Sequence, residues 1–183
     1  LFMILSDNEL LEMLRQPRTQ REGFAALVKQ YGEPLYWKVR RIVLDHEDAN
    51  DVMQNVFIKV WNNLQNFQGK STLSTWLYRI AINEALDFVR KKNNMEQVST
   101  DEEPSVASRL LGDEYFDGDE AQAKLQEAVA RLPEVQRTVF NLKYFEEMKY
   151  SEMSKILDTS EGALKASYHL AVKKIIEYLH LLE

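Results

Sequence analysis

At 183 residues the chain can make one mid-sized domain or two small ones, and 45% apolar residues can fill a core, which excludes wholesale disorder. The absence of cysteine excludes a disulfide scaffold and thiolate metal sites; the three scattered histidines, His46, His169 and His180, have no metal-ligand spacing, so neither metal nor cofactor is expected. The net charge of −6 sits in one stretch: residues 1–94 carry +2, residues 95–120 carry −8 and residues 121–183 are neutral. Neither flanking block could hold duplex DNA strongly through phosphate neutralisation alone, so any DNA binding would need a partner's help. The apolar start Leu1–Leu5 is too short for a membrane span and lacks a charged signal-peptide front, so a cytoplasmic protein is expected.

In chain order, Ser6 and Glu9 form a capping-box pattern ahead of Leu10, Leu11 and Leu14, which predicts a helix near residues 7–15 ended by Pro17. Phe24, Leu27, Val28 and Tyr31 mark a second helix, stopped by Gly32. Pro34 then opens a third, which runs to Leu44 with a basic patch of Lys38, Arg40 and Arg41. That patch reads as a solvated face that could also track phosphates. The acidic turn 45–48 caps a fourth helix, residues 48–64, with Ala49, Val52, Met53, Val56, Phe57, Val60, Trp61 and Leu64 on its buried face. A polar loop around Gly69 leads into a last helix from Thr72 to Lys92 that ends in a basic cluster. The pattern fits a plain packed hairpin. It also fits an unpaired-nucleic-acid site, because rings stack on exposed bases, amides read base edges, and Arg or Lys hold phosphates.

Residues 93–120 lose the helical period and read as an acidic, turn-rich interdomain linker. Fully stretched it spans roughly 90 Å, enough to bridge two turns of B-DNA, about 70 Å. Beyond it, Leu125, Val129 and Leu132 begin a second block, and Pro133 opens a helix over residues 134–144. The remainder is a helix-turn-helix pattern. A first helix covers residues 148–157 with Ser151 as its cap, and the turn is 158–160. A recognition helix covers 161–179, with Leu164, Tyr168, Ala171 and Ile175 facing in. A helical protein-docking domain is the bland alternative for this block.

The ordered residues Asp48, Asp51, Gln54 and Phe57, then Asn66-Phe67-x-Gly69, then Thr75-Trp-Leu-Tyr-Arg-Ile-Ala-x-Asn83, resemble region 2 of bacterial sigma factors, best matched by the short extracytoplasmic-function (ECF) group. The second block resembles region 4. The resemblance implies an all-α fold of two helical domains, 1–92 and 121–183, joined by a flexible acidic linker over 93–120; by charge alone that run reads as a solubilising spacer, and the resemblance adds threading of polymerase as a nucleic-acid mimic. It implies a non-enzymatic protein that binds core RNA polymerase and promoter DNA and aids melting. Core docking falls to Asp48, Asp51, Gln54 and Asn55 on the clamp helices of the largest subunit, and region 4 meets the flap of the second-largest. Capture of a flipped −10 base falls to Phe67, Gly69, Lys70 and Ser71. Trp76, Arg79 and Asn83 lie beside it, with Arg90, Lys91 and Lys92 as phosphate contacts. The −35 duplex falls to Ser160, Glu161, Ala163, Lys165, Ala166, His169 and Lys173. An anti-sigma factor is implied as a further partner. The chain departs from the family pattern at Asn55 and Lys70, where acidic residues are common, and at Ser167, Leu170 and Val172, where arginines are. Fewer guanidinium forks means fewer bidentate guanine contacts. The competing expectation is a helix-turn-helix regulator with an N-terminal sensing or dimerising domain. No phosphate-binding glycine motif or nucleophile–base set supports an enzyme.

Overall fold

The computed structural model describes residues 4–95, 110–112, 116 and 118–182, with 93–95 described by backbone alone. The chain divides into two compact units, Leu1–Asn93 and Asn94–Glu183. All regular structure among the described residues is helical, and no helix is long and apolar enough to cross a membrane.

The first unit starts with α1 (Asp7–Arg15), held by the expected capping box: Ser6 Oγ accepts from the Glu9 N–H and the Glu9 carboxylate accepts from the Ser6 N–H. The Ser6 hydroxyl and the Ser6 N–H both donate to the Glu9 carboxylate and hold it below its usual range. Helix α2 (Gln20–Val43) is one continuous rod where the sequence predicts a break at Gly32. Pro34 has a helix-compatible φ and removes a single intrahelical hydrogen bond. Burial of Leu27, Leu35 and Val39 on either side of the interruption outweighs that loss, since each buried aliphatic side chain contributes roughly 1.5–3 kcal/mol. Leu44, in the left-handed region, ends the rod. Asp45 then caps α3 (His46–Asn63) by accepting from the Asp48 N–H, as the acidic turn predicts. A 3-10 turn (Leu64–Asn66) follows, then a loop, then α4 (Leu73–Met95). The basic patch on α2 is not a solvated face: Arg40 is buried, and burial lowers the pKa of both Lys38 and Arg41.

Helix α1 packs on α2, and α2 on α3. Gly23 lets α1 and α2 approach so closely that a Cβ there would stand 2.8 Å from Met13 Cβ. Polar bonds fix the same contact. Tyr31 donates to Asp7 at 2.5 Å, Gln30 to the Leu5 carbonyl at 3.1 Å and Thr19 to the Met13 carbonyl at 2.9 Å. Helix α4 turns Leu73, Leu77, Ala81, Ala85 and Val89 inward. Ion pairs Lys59–Glu84 and Lys92–Asp48 (2.7 Å) bind it to α3, and Lys38 sits 4.4 Å over the Tyr78 ring. On α3, Trp61 departs from its predicted burial: it is 38% exposed and packs edge-on against Phe24, so that side of the helix ends in an aromatic rim.

The second unit contains α5 (Glu120–Ala130), α6 (Glu134–Phe140), a π-helical turn (Asn141–Phe145), α7 (Tyr150–Leu157) and α8 (Glu161–His180). The helix predicted for 134–144 therefore widens into a π turn after Phe140. Ala128, Val129, Leu132, Phe140, Ala171 and Ile175 form the core, and Phe140 stacks on both Tyr144 and Tyr168. The Tyr178 hydroxyl donates to Glu127 at 3.0 Å and ties the end of α8 to α5. Ser151 does not cap α7. The helix starts one residue after Lys149, whose carbonyl accepts from both Glu152 and Met153, and Ser151 lies exposed inside it. Most of the expected 93–120 linker lies outside the described residues; α4 extends to Met95, α5 begins at Glu120, and Leu110 between them is helical and buried.

Candidate nucleic-acid interface

In the first unit the loop between the 3-10 turn and α4 is shaped by three local features. The Phe67 N–H closes the turn onto the Leu64 carbonyl at 3.3 Å. Gly69 then reverses the chain at φ +68°, a left-handed conformation that costs an L side chain about 1–2 kcal/mol even though the space beside it is open. Thr72 stops the loop by accepting the Thr75 N–H at 3.2 Å on its hydroxyl, which caps α4. The Phe67 ring, half-buried, rests on Trp76 with centroids 5.1 Å apart.

Phe67, Gly69, Ser71, Thr72 and Leu73 line one side of a cleft of about 770 Å³. Pockets of this size hold small ligands. The opposite side is α1, which contributes Asp7, Asn8, Leu11, Glu12, Arg15 and Gln16. Lys70 and Asn83, expected at the same cleft, do not line it; both are exposed. Asn83 belongs instead to a stripe along the outer side of α4, at helical spacing with Trp76, Arg79 and Arg90. The Phe67–Trp76 ring contact joins that stripe to the cleft lining. Arg79 is half-buried, and its Nε has no hydrogen-bond partner among the described residues. Lys91 is exposed, Arg90 lies 3.6 Å from Asp87, and Lys92 is engaged by Asp48.

Of the four predicted docking residues, Asp51, Gln54 and Asn55 project from the exposed face of α3, whereas Asp48 turns to Lys92. Ile58, 58% exposed, continues that face. Its signal in the sequence is an apolar residue that falls off the buried rhythm of the helix.

In the second unit Asp158, at φ 49°, reverses the chain after α7, and Ser160 caps α8 by accepting the Ala163 N–H at 3.3 Å. This leaves Ser160, Glu161, Ala163, Lys165, Ala166, His169 and Lys173 exposed along one helix, while Leu164, Ala171 and Ile175 seat it. Leu170 joins the outer row at 47% exposure, and Lys173 approaches Glu177 at 4.0 Å.

An all-helical unit with a loop-and-helix cleft, followed by a unit that presents the outer row of α8 from a helix-turn-helix, is the architecture of a DNA-binding transcription protein. Family models for sigma-70 region 2 and sigma-70 region 4 match residues 27–95 and 122–175. The chain is 30% identical over 158 residues to the ECF RNA polymerase sigma factor SigW of Bacillus subtilis, covering 81% of this chain and 84% of that one. It is 31% identical over 169 residues to the RNA polymerase sigma-H factor of Pseudomonas aeruginosa, covering 87% and 86%. Its fold is similar to that of CnrH in complex with the cytosolic domain of CnrY, with a TM-score of 0.66, 22% identity and coverage of 96% of this chain and 97% of that one. A similar likeness holds for the sigma factor RpoE in complex with the anti-sigma factor NepR from Bartonella quintana, at TM-score 0.66, 21% identity, and 87% and 98% coverage. The chain belongs to the ECF sigma factors of the sigma-70 family, and its function is to direct transcription.

Proposed function

We propose a division of that work among three surfaces. The exposed face of α3, Asp51, Gln54 and Asn55 with Ile58 added, docks on the clamp helices of core polymerase. The Phe67–Ser71 loop captures one unpaired base of the −10 element, and Trp76, Arg79, Asn83, Arg90 and Lys91 carry the adjoining strand. The outer row of α8 reads the −35 duplex, where Leu170 replaces a charged contact with an apolar one suited to a thymine methyl. Region 4 also meets the polymerase flap, and residues 93–120 join the two domains. The protein works in the cytoplasm, leaves catalysis to polymerase, and is restrained by an anti-sigma partner. Both similar solved structures are complexes with another protein, one of them with an anti-sigma factor, which supports that last assignment.

The observation that carries this reading is a glycine-reversed loop whose Phe67 lines a cleft and rests against Trp76. A flipped base gives up a few kcal/mol of stacking, which rings and a fitted pocket can return. Run-off transcription with core polymerase is the test. The full chain yields promoter-specific transcripts, and Asn83→Ala impairs opening while core binding stays intact. Equal loss of both would place Asn83 in the structural framework rather than on the melted strand.

A further inference from the structure

The wall of the cleft contributed by α1 has no role in the assignment above, and it lies outside the part of the chain that matches region 2, residues 27–95. Leu10 and Leu14 bury the inner side of α1. Asn8, Glu12 and Arg15 share its other face at helical spacing, and with Gln16 just past its end they are exposed and line the cleft. Of the two carboxylates there, Asp7 already accepts from Tyr31. Glu12 has no side-chain partner among the described residues; neither does Arg15, one turn away, and the two do not pair with each other. The wall is held firmly. The capping box, the Gly23 approach and the bonds from Thr19, Gln30 and Tyr31 all fix α1 onto α2.

A fixed helix that points an uncommitted carboxylate and an uncommitted guanidinium at an aromatic-edged loop is suited to reading the edge of a base. We propose that Glu12 and Arg15 are specificity-determining residues for the captured base and select cytosine or guanine over adenine or thymine. This rests on the assignment of the Phe67–Ser71 loop to base capture. Cytosine offers an amino donor beside two acceptors, so the carboxylate takes the amino group and the guanidinium fork takes the acceptors. Guanine offers two adjacent N–H donors beside a carbonyl, so the carboxylate takes both donors and the guanidinium the oxygen. Adenine offers one donor and one acceptor, and thymine one donor between two acceptors, one of which then faces the carboxylate; each makes one bond fewer with the pair, which is what discriminates.

The experiment is run-off transcription by core polymerase with the full chain on a promoter library randomised across both elements, with the transcripts sequenced. Wild type should select C or G at one −10 position. Glu12→Ala and Arg15→Ala should each flatten that preference by about tenfold or more and leave the −35 preference unchanged. Both positions are exposed and alanine favours helix, so α1 persists, and core binding measured on the same samples reports the fold. An unchanged −10 preference in both variants, or selection of A or T by wild type, overturns the proposal. If Phe67→Ala abolishes opening while the α1 variants behave as wild type, the loop assignment stands and the α1 assignment falls. If wild type gives no promoter-specific transcripts, both fall.

Discussion

The two units build their contact surfaces in different ways. In the second, every residue assigned to duplex DNA sits on or immediately before α8, and the core beneath has only to hold that helix out. In the first, the cleft is assembled from α1 and from a loop more than fifty residues further on, and it exists only while α1 stays on α2. A surface on one helix tolerates shifts in its support. A surface shared between distant segments depends on each contact that sets their spacing.

That contrast predicts where damage spreads. Phe140 stacks on Tyr144 and Tyr168 and is 4% exposed, so Phe140→Ala should cost about 3–5 kcal/mol and release the amide protection of α5 through α8. Hydrogen exchange should show α1 through α3 unaffected. Equal loss there would mean that the units unfold together and that the contrast is only geometric. The next largest effect is Gly23→Ala. Its Cβ would meet Met13 Cβ at 2.8 Å and the Leu14 nitrogen at 3.2 Å, both too close for a helix contact to absorb without movement. Overpacking of this kind costs about 1–3 kcal/mol. The cleft should open and promoter melting should fall, while exchange in α8 and core binding through α3 hold. If melting were untouched, α1 would not belong to the site.

What the sequence made legible follows the same divide. The caps at Ser6 and Asp45 were readable because each is a bond between residues three apart. The inner stripe of α8 was readable because helical period alone places Leu164, Ala171 and Ile175. The failures are long-range or cumulative. Gly32 and Pro34 look like a stop until the buried leucines on both sides are weighed against them. Trp61 reads as core until Phe24 is seen to cover only one side of its ring. The basic patch on α2 reads as solvated, but Arg40 is turned inward. The α1 wall had no local signal, since nothing in residues 7–16 marks what they will face.

A smaller change tests the loop itself. Gly69→Ala should cost about 1 kcal/mol, because alanine resists φ +68° although nothing crowds the position. Promoter opening should fall without any change in polymerase affinity. An opening rate equal to wild type would show that the loop reshapes freely, and the first unit would then resemble the second in its tolerance.

The smallest effect concerns Lys38, which burial, and then the neighbouring charge of Arg41, bring down to a pKa of about 8. The unfolded chain holds that proton up to about 10.5. Below pH 8 both states are protonated and the folded state bears the full cost of a desolvated charge. Between pH 8 and 10.5 the unfolded state binds more protons than the folded state, so the lysine's contribution to stability rises with pH across that window. The Tyr78 face, 4.4 Å from the ammonium and kept neutral by a pKa that burial raises, favours the charged form and offsets part of this cost. Lys38→Met should therefore melt slightly above wild type at pH 7, with the gap closing towards pH 10. Phe140→Ala should shift the melt equally at both pH values, since it removes no titrating group. A gap for Lys38→Met that is constant with pH would mean that the ring and the solvent together compensate the charge. The α2–α4 contact would then be set by packing alone, unlike that of α8, which Tyr178 also ties to α5 through Glu127.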